Sequence, residues 1–317
     1  MYQLLHYISL LSALLIGRSG ELNTRSSFTE FPQATVLDSS SCTIPFTRAG
    51  NLIVIKAKAD TLEGNFILDT GAPHLILNIT YFRDYPVTQI HDAEQTGITG
   101  SSAGLGKTNI KEFSLGSLDY INLEADLANL GHIENSKGLR ILGLLGLDLF
   151  RQCELIIDYE QNLIYLHRIS KKEAQGYRHV MLTDTADYRV LPFDLTDSRI
   201  MLSANAGGRK LKFVVDCAAE TNVLDSRLPD KILEKVNITR RVMLAGSNNK
   251  KVEALYGDMQ SIKIGKEEVK GLPVLITNLE NTCFSYAGCV DGVLGFDFLS
   301  LHKVGFNFVK RKMYIWR

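Results

Sequence analysis

The sequence predicts an all-β, or mostly β, protein made of two lobes with a cleft between them. Short apolar runs alternate with Gly, Asn and Asp turn signals, a pattern typical of strands rather than of long helices. Blocks of residues recur at a constant offset, and each half of the chain contains an aspartate at the end of an apolar run. A chain of 317 residues with 45% apolar residues suits two cores of roughly 130 residues each.

The second half of the chain repeats the first. Phe66 and Asp69 are matched by Phe213 and Asp216, 147 positions later. Downstream the offset becomes 149, and it aligns residues 143–146 with 292–295, Asp148 with Asp297 and Tyr165 with Tyr314. A constant offset with one two-residue shift is typical of a duplicated domain. We therefore expect the two lobes to be related by an internal pseudo-two-fold.

Residues 1–20 predict a signal peptide. An apolar run extends to Ile16, and the small residues Gly17, Ser19 and Gly20 follow it. We therefore expect export, to a periplasm or to the outside of the cell. Residues 21–43 are rich in Ser, Thr and Asp and are interpreted as a leader or arm. No other stretch reaches the length of a membrane-spanning helix, so we expect no stable membrane insertion of the mature chain.

The rest of the chain divides at a polar linker. We expect an N-terminal lobe at 44–168, a linker at 169–188 and a C-terminal lobe at 189–317. In the first lobe, the apolar run Leu52–Ala59 is followed by a turn signal and by a second strand that runs into Asp69. Residues 229–236 are the clearest predicted helix, because proline is tolerated in the first turn.

Composition and spacing exclude several classes of function. The formal net charge is zero, so the basic excess that a nucleic-acid partner usually requires is missing. The seven His residues form no i, i+4 pair and the five Cys residues show no C-x-x-C spacing, so we predict no metal site and no cofactor. Cys283 and Cys289 are close enough in sequence to bridge a short loop, while an odd number of cysteines leaves at least one thiol free.

The two aspartates at the strand ends indicate acid–base chemistry. Residues 66–72 deliver Asp69 into a tight turn that contains Gly71, and residues 213–219 repeat the pattern around Asp216. Hydrolysis of an amide without a metal or a nucleophile needs a base for the water and an acid for the substrate. Two carboxylates that meet across the pseudo-two-fold can supply both, so Asp69 and Asp216 are the predicted catalytic residues.

Residues 44–317 resemble the retropepsin-like aspartic peptidases, in the tandem arrangement of the pepsin-like bilobal enzymes. The resemblance rests on Asp69-Thr70-Gly71-Ala72, the apolar run at 75–77 and Leu144-Leu145-Gly146, in an order that recurs in the second half. It implies two small β-barrel lobes, a peptide or protein substrate and a monomer. In aspartic proteases the two carboxylates are about 3 Å apart and share one proton, because they cannot both ionise at that distance.

The resemblance also assigns supporting roles. The residues that would shape the two active-site loops are Thr70, Gly71, Ala72, Cys217, Ala218 and Ala219. Flap hairpins that would cover the cleft are expected at 97–108 and 246–256, with the flap residues Gly97, Gly100, Ser101, Ser102 and Gly246.

The second half departs from the family pattern at Asp216-Cys217-Ala218, where Asp-Thr-Gly is usual. A thiol is a weaker hydrogen-bond donor than a hydroxyl, so we expect a looser lock between the loops. Ala218 adds a Cβ where glycine leaves the backbone unrestricted. Two alternatives to a working endopeptidase follow. One is a catalytically impaired protein that binds peptides or a partner, and the other is a homodimer that pairs Asp69 from two chains.

Ala72 and Ala219 predict the direction of the pH optimum. Pepsin-like enzymes carry a hydroxyl residue at this position, where it can hydrogen-bond the carboxylate and lower its pKa. Alanine cannot do so. We therefore expect an optimum nearer to weakly acidic or neutral pH than that of a digestive enzyme.

Overall fold

Most of the described chain is β-strand, as the sequence predicts. The structure is a computed structural model and describes residues 34–91, 95–97, 100–102, 105–245, 251–280 and 289–317. The predicted signal peptide, most of the predicted leader and Gly246 lie outside the described residues. Export remains a prediction, as do the lobe boundaries. Within the described ranges, no helix is both long and apolar enough to cross a membrane.

The strands of the first half alternate with tight turns. In chain order they are β1 Thr35–Val36, β2 Ser41–Pro45, β3 Thr47–Ala49, β4 Leu52–Ala59, β5 Leu62–Leu68, β6 Leu75–Asn78, β7 Gln89–His91, β8 Gln95–Gly97, β9 Gly100–Ser102, β10 Leu105–Leu115, β11 Leu118–Ala128, β12 Gly143–Leu145, β13 Cys153–Asp158 and β14 Leu163–Arg168. Helix α1 is Gly131–Lys137, and a 3₁₀ turn follows at Leu147–Phe150. Gly138 ends α1 in the left-handed conformation that glycine favours at this position.

The second half follows a similar sequence of elements. Its strands are β15 Tyr188–Pro192, β16 Asp194–Thr196, β17 Arg199–Ala206, β18 Arg209–Val215, β19 Asn222–Asp225, β20 Val236–Ala245, β21 Lys251–Ile264, β22 Glu267–Thr277, β23 Gly292–Leu294, β24 Val304–Asn307 and β25 Lys312–Trp316. Its helices are α2 Asp230–Leu233 and α3 Phe296–Leu299, and a 3₁₀ turn at Val180–Leu182 lies in the linker. The helix expected at 229–236 is thus shorter than predicted, because Val236 begins β20.

Each lobe contains a closed six-stranded barrel. The first sheet has the order β3-β4-β5-β12-β6-β11-β10-β7, and an additional pairing of β4 with β10 closes the barrel. The second has the order β16-β17-β18-β23-β19-β22-β21-β20 and closes through β17 and β21. The strand orders are equivalent element by element. The fold class is therefore confirmed as mostly β with two barrel-like lobes.

A third sheet joins the two halves of the chain. Its order is β1-β2-β14-β13-β24-β25-β15, and all its neighbours are antiparallel. The halves meet where β13 pairs with β24, with Ile156 opposite Gly305. The sequence did not predict this sheet. The backbone hydrogen bonds of this sheet hold the two lobes together. The association of the lobes therefore does not depend on side-chain contacts alone.

The main apolar core extends through both barrels and the shared sheet. Phe66, Phe113, Phe213 and Phe306 are among its fully buried side chains. The alternation along β4 explains how a second cluster forms on the opposite face. Ile53 packs inside the first barrel, whereas its neighbours face a cluster beside the active-site loop. That cluster comprises Leu52, Val54, Ile67, Ala72, Ile76, Ala128, Leu130, Ile133, Ile141, Leu144 and Ala218.

The cysteines divide into two groups. Cys42, Cys153 and Cys217 are buried and free. Cys289 is disulfide-bonded, and Cys283, the partner that the sequence suggests, lies outside the described residues. The thiol of Cys217 is therefore available for hydrogen bonding between the lobes.

Candidate active site

Both aspartates are positioned by the same local structure. Strand β5 ends immediately before Asp69, and β18 ends immediately before Asp216. The amide of Asp69 donates to the carbonyl oxygen of Leu145 at 3.0 Å, and the amide of Asp216 donates to that of Leu294 at 3.0 Å. Each active-site loop is thus fixed to the short apolar strand that runs parallel to the strand before it.

The glycine after each of these apolar strands allows a close approach to the active-site loop. A Cβ at Gly146 would lie 2.0 Å from the carbonyl oxygen of His74. A Cβ at Gly295 would lie 2.4 Å from the carbonyl oxygen of Ala219. Backbone atoms cannot move aside as a flexible side chain can, so only glycine fits at these two positions. This steric requirement explains why the apolar-apolar-Gly motif occurs in both halves.

The side chains of Asp69 and Asp216 are buried, with 1% and 0% exposure. Oδ1 of Asp69 accepts hydrogen bonds from the amides of Gly71 at 2.9 Å and Ala72 at 3.0 Å. Oδ1 of Asp216 accepts one from the amide of Ala218 at 2.8 Å. Each carboxyl group is therefore oriented by the turn that follows it, as Thr70-Gly71-Ala72 and its counterpart predict.

The two loops meet at Gly71. A Cβ at this position would lie 2.4 Å from Oδ2 of Asp216, so only glycine fits without displacing that carboxyl group. Oδ2 of Asp216 has no hydrogen-bond partner of ordinary geometry within the described part of the chain. Its surroundings are the glycine of the opposite loop and the carboxyl group of Asp69, with which it interacts.

Burial dominates the electrostatics of the pair. It raises the pKa of Asp69 to about 6, against the lowering effect of the amides of Ala72 and Gly71. Burial, followed by the negative charge of Asp69, raises the pKa of Asp216 well above its ordinary value. The pair therefore holds a proton at pH values where isolated aspartates would both be ionised.

Thr70 and Cys217 lock the two loops together with four hydrogen bonds. The Thr70 hydroxyl donates to the carbonyl oxygen of Val215 at 3.1 Å and accepts from the amide of Cys217 at 3.0 Å. The Cys217 thiol donates to the carbonyl oxygen of Leu68 at 3.2 Å and accepts from the amide of Thr70 at 3.4 Å. The thiol makes both bonds that a hydroxyl would make, so the lock is complete. The looser lock expected from a weaker donor stays a prediction.

Ala218 also fits better than the sequence suggested. It does not adopt a positive φ, so its Cβ introduces no backbone strain. The side chain is 5% exposed and packs into the apolar cluster that contains Ala72 of the other lobe. Ala219 is likewise buried, in a separate cluster of the second lobe with Val214 and Val223.

Comparison with known proteins finds a likeness in part of the chain. Residues 202–298 match the family model described as aspartyl protease. This segment is similar to an aspartyl protease domain. It contains Asp216, Cys217 and the 292–295 run, but it covers less than a third of the chain. No curated protein matches the chain.

The match falls on the half whose motif departs from Asp-Thr-Gly. The first lobe lies outside the matched segment, yet its strand order is equivalent to that of the second lobe. Its loop at Asp69 also makes the contacts described above with the loop of Asp216. The two lobes therefore share one strand order and contact each other through the loops that follow Asp69 and Asp216.

The predicted flap residues are described only in part. Gly97, Gly100, Ser101 and Ser102 belong to a two-stranded antiparallel hairpin, in which Gly97 pairs with Gly100. In the second lobe, β20 and β21 form the corresponding long hairpin, and its predicted flap residue Gly246 lies outside the described residues. The flap function of both hairpins remains a proposal.

Asp148 and Asp297 brace the turns behind the loops, as their repeated position suggests. Nδ1 of His74 lies 2.6 Å from Oδ2 of Asp148, and Nε of Arg151 donates to Oδ1 of Asp148 at 2.5 Å. In the second lobe, Thr221 donates to Asp297. Neither aspartate belongs to the buried pair of Asp69 and Asp216. Within the described residues, no cluster of three or more His, Cys, Asp and Glu side chains could hold a metal ion.

The sequence did not reveal a contact between the lobes at Glu220, one residue after Ala219. Glu220 forms an ion pair with Lys137 of α1, and its carbonyl oxygen accepts from the side-chain amide of Asn51 at 2.8 Å. The side chains of Lys137 and Glu220 are only 11% and 13% exposed. Residues this far apart in sequence carry no local signal of their pairing.

Arg199 was also missed, although the sequence contained a signal for it. It is 1% exposed, and the offset of 147 aligns it with Leu52 of the first lobe. A charged residue that replaces an apolar one at a repeated position could have been recognised as an asymmetry near the site.

Proposed function

We propose that this protein is an aspartic endopeptidase that hydrolyses peptide bonds with a water molecule activated by Asp69 and Asp216. The observation that carries the proposal is the reciprocal lock of Thr70 and Cys217, which holds two buried carboxyl groups from different lobes against each other. The aspartyl protease match to residues 202–298 supports the same chemistry.

The reaction needs one proton on the pair. The ionised carboxylate takes a proton from water as the water oxygen attacks the carbonyl carbon of the substrate. The protonated carboxyl group hydrogen-bonds the carbonyl oxygen and stabilises the charge that develops on it. The tetrahedral intermediate then collapses as its C–N bond breaks. The leaving nitrogen receives the proton that the carboxylate took from water, which restores the singly protonated pair. The raised pKa values of both carboxyl groups favour the singly protonated state that this sequence requires.

The environment of the pair supports its role as a working site. The alternative of an impaired, peptide-binding protein was motivated by Cys217-Ala218, but the thiol completes the lock and Ala218 is unstrained. The alternative of a homodimer needs a second Asp69 to supply the missing partner. Asp216 of the same chain already faces the loop of Asp69 through Gly71. The geometry therefore favours a monomeric enzyme that acts on a peptide or protein substrate.

The test is hydrolysis of a mixed peptide library by the mature chain. We expect cleavage by the wild type and its loss in both Asp69→Asn and Asp216→Asn, with a rate proportional to protein concentration. Loss in Asp69→Asn alone, with a rate that rises more steeply than protein concentration, would support the homodimer. Binding of peptides without cleavage by the wild type would support the impaired protein.

Export belongs to the same proposal. We propose that residues 1–20 direct the chain out of the cytoplasm, because they combine an apolar run with small residues at its end. Mass spectrometry of the protein recovered from its native source should find a mature N-terminus near residue 21. An intact Met1 on the recovered protein would contradict export by this route.

A further inference from the structure

The chain contains two Asn-x-Thr triplets, and the structure gives them opposite surroundings. The first is Asn78-Ile79-Thr80, at the end of β6, and the second is Asn237-Ile238-Thr239, in the first part of β20. Asn-x-Ser/Thr is the acceptor sequence for N-linked oligosaccharides in secreted proteins, and the acceptor has to lie on the surface. Burial and hydrogen bonding of the asparagine side chain therefore decide which triplet can carry a sugar.

The side chain of Asn78 belongs to the interior of the first lobe. Asn78 is 0% exposed, and its Nδ2, the atom to which a sugar would be attached, donates to the carbonyl oxygen of Ile141 at 2.9 Å. Its Oδ1 accepts hydrogen bonds from the amides of Thr80 at 3.2 Å and Leu130 at 3.4 Å. A sugar on Nδ2 would displace buried protein atoms, so the folded protein cannot carry a glycan here.

The internal repeat explains why an asparagine lies at position 78. Asp225 ends β19 at the offset of 147, and its Oδ1 accepts from the amides of Arg227 at 3.0 Å and Leu279 at 3.4 Å. These contacts are equivalent to those of Asn78, although an aspartate cannot accept an N-linked sugar. Both positions thus require an oxygen that accepts two backbone amides, and the triplet at Asn78 follows from this structural role.

Asn237 has the surroundings that a glycan needs. Asn237 is exposed, and so are Ile238 and Thr239 beside it. A β-bulge between Ile238 and Arg240 interrupts the regular pairing of β20 at this point. The side-chain Oδ1 of Asn237 accepts a hydrogen bond from Nε2 of Gln260 at 3.1 Å, so this contact uses the oxygen of the amide and not the nitrogen that a sugar would modify. Among the described strands β20 ends its sheet, so one side of this strand is open to a bulky group.

We propose that Asn237 is the acceptor of an N-linked oligosaccharide and that Asn78 is not modified. This inference is independent of the catalytic pair and rests on the proposed export, because the transfer occurs in a secretory compartment. In the transfer, Nδ2 of Asn237 forms a bond to the anomeric carbon of an oligosaccharide that is carried on a lipid diphosphate. The C–O bond to the diphosphate breaks, the lipid diphosphate leaves with the electron pair, and the amide nitrogen loses one proton.

The position of Asn237 gives the sugar a protective role. A strand at the end of a sheet presents unpaired backbone N–H and C=O groups, which can pair with another chain. Ile238 is 46% exposed and adds an apolar side chain to this open edge. A bulky hydrophilic group on the neighbouring residue hinders the association of two copies through their edges. The predicted flap residue Gly246 is about 30 Å further along an extended chain, so the sugar is attached at the base of the hairpin.

The experiment is peptide mass spectrometry of the full-length chain secreted from a eukaryotic host. Peptide N-glycosidase first releases the sugars, which converts each glycosylated asparagine to aspartate. We expect conversion at Asn237 and an unconverted Asn78 in the folded protein. Asn237→Gln and Thr239→Ala should each abolish the loss of mass that the enzyme causes, whereas Thr239→Ser should retain it. An unmodified Asn237 in the wild type, or a sugar on Asn78 of the folded protein, would overturn the inference.

A matched variant at the first triplet is the control. Thr80→Ala removes that triplet but keeps the hydrogen bond to Asn78, because the bond comes from the backbone amide of residue 80. It should therefore fold and release the same mass of sugar as the wild type. The protective role predicts that Asn237→Gln forms a larger aggregated fraction than Thr80→Ala at equal concentration, measured by light scattering. Equal aggregated fractions would show that the sugar does not protect the edge of β20.

A second expression arm separates this inference from the proposed function. If residues 1–20 do not export the chain, a signal sequence of the host placed before residue 21 delivers it to the same compartment. A sugar on Asn237 in that arm alone would refute the proposed export and support the acceptor site. An unmodified Asn237 in both arms would refute the acceptor site. The measurement needs no peptidase activity, so a protein that cleaves no peptide still gives the result for Asn237.

Discussion

Thr70 and Cys217 each donate a hydrogen bond to the carbonyl oxygen of the residue that precedes the other's aspartate, at 3.1 and 3.2 Å. The relationship is reciprocal even though one partner is a hydroxyl and the other a thiol. It fixes the distance between the loops from both sides, so each carboxyl group is held by the opposite lobe as well as by its own.

The first prediction concerns the Cys217 thiol. Cys217→Val removes its donor and acceptor and leaves the buried carbonyl of Leu68 and amide of Thr70 unpaired. We expect a loss of about 1–3 kcal/mol in the free energy of unfolding for each unpaired group, measured by urea denaturation. Cys217→Thr keeps both functions and should cost less than about 1.5 kcal/mol. Equal stability of the two variants would show that the thiol bonds contribute nothing.

The second prediction concerns Gly71. Gly71→Ala places a methyl group 2.4 Å from Oδ2 of Asp216, so the two carboxyl groups must move apart. A displacement of about 1 Å can cost roughly 100-fold in rate, and we expect at least that loss in kcat/KM on a peptide substrate. Gly176→Ala is the matched control, because nothing lies within 4 Å of its Cβ. Retention of activity in Gly71→Ala would mean that the carboxyl groups do not react in the observed arrangement.

The third prediction concerns the pH–rate profile. Below the pKa of Asp69, about 6, both carboxyl groups are protonated and no base is available. The rate should therefore rise as the pH increases through about 6, and it should fall only where Asp216, whose pKa is raised further, also ionises. The absence of a hydroxyl at Ala72 and Ala219 acts in the same direction. A profile of kcat/KM that peaks near pH 2 would contradict the prediction.

The fourth prediction separates stability from activity. The pKa of Asp216 is raised in the folded protein above the ordinary 3.8, so the folded state binds a proton more tightly than the unfolded state. The stability that this bound proton contributes is complete at low pH. It is lost as the pH rises from 3.8 through the raised pKa of Asp216 in the folded protein. Asp216→Asn cannot ionise. We expect the substitution to abolish cleavage. At pH 7 the free energy of unfolding of the variant, measured by urea denaturation, should exceed that of the wild type by about 1–3 kcal/mol.

The pH dependence of that comparison provides its control. At pH values below 3.8, Asp216 is protonated in both states of the wild type, so the advantage of Asp216→Asn should disappear. If Asp216→Asn is less stable than the wild type at pH 7, burial of the ionised pair does not destabilise the folded protein.

The fifth prediction concerns the ion pair between Lys137 and Glu220, which joins α1 to the active-site loop of the other lobe. A double-mutant cycle with Lys137→Ala and Glu220→Ala should give a coupling of about 1–3 kcal/mol, between the values for exposed and buried pairs. The pair of Arg241 and Glu253, with side chains 77% and 52% exposed, is the control and should couple by less than about 1 kcal/mol. Equal coupling energies would show that the interlobe pair is no stronger than a surface pair.

Much of the site could be predicted because its signals are local. The strand before each aspartate ends in three consecutive buried apolar residues, and the turn after Asp69 needs Gly71 for close approach. The consequence of Cys217 could not be predicted, because donor strength alone does not show whether a thiol reaches its partners. That depends on the separation of two loops whose residues lie 147 positions apart.

The sequence by itself determined the strands, the repeat, and the places where carboxylates end apolar runs, because each follows from residues that are neighbours in the chain. Only the tertiary structure decided how the halves join. The pairing of β13 with β24 and the contact of Glu220 with Lys137 both link residues that are distant in sequence. No periodicity records such contacts, because they arise only when two separately encoded surfaces pack against each other.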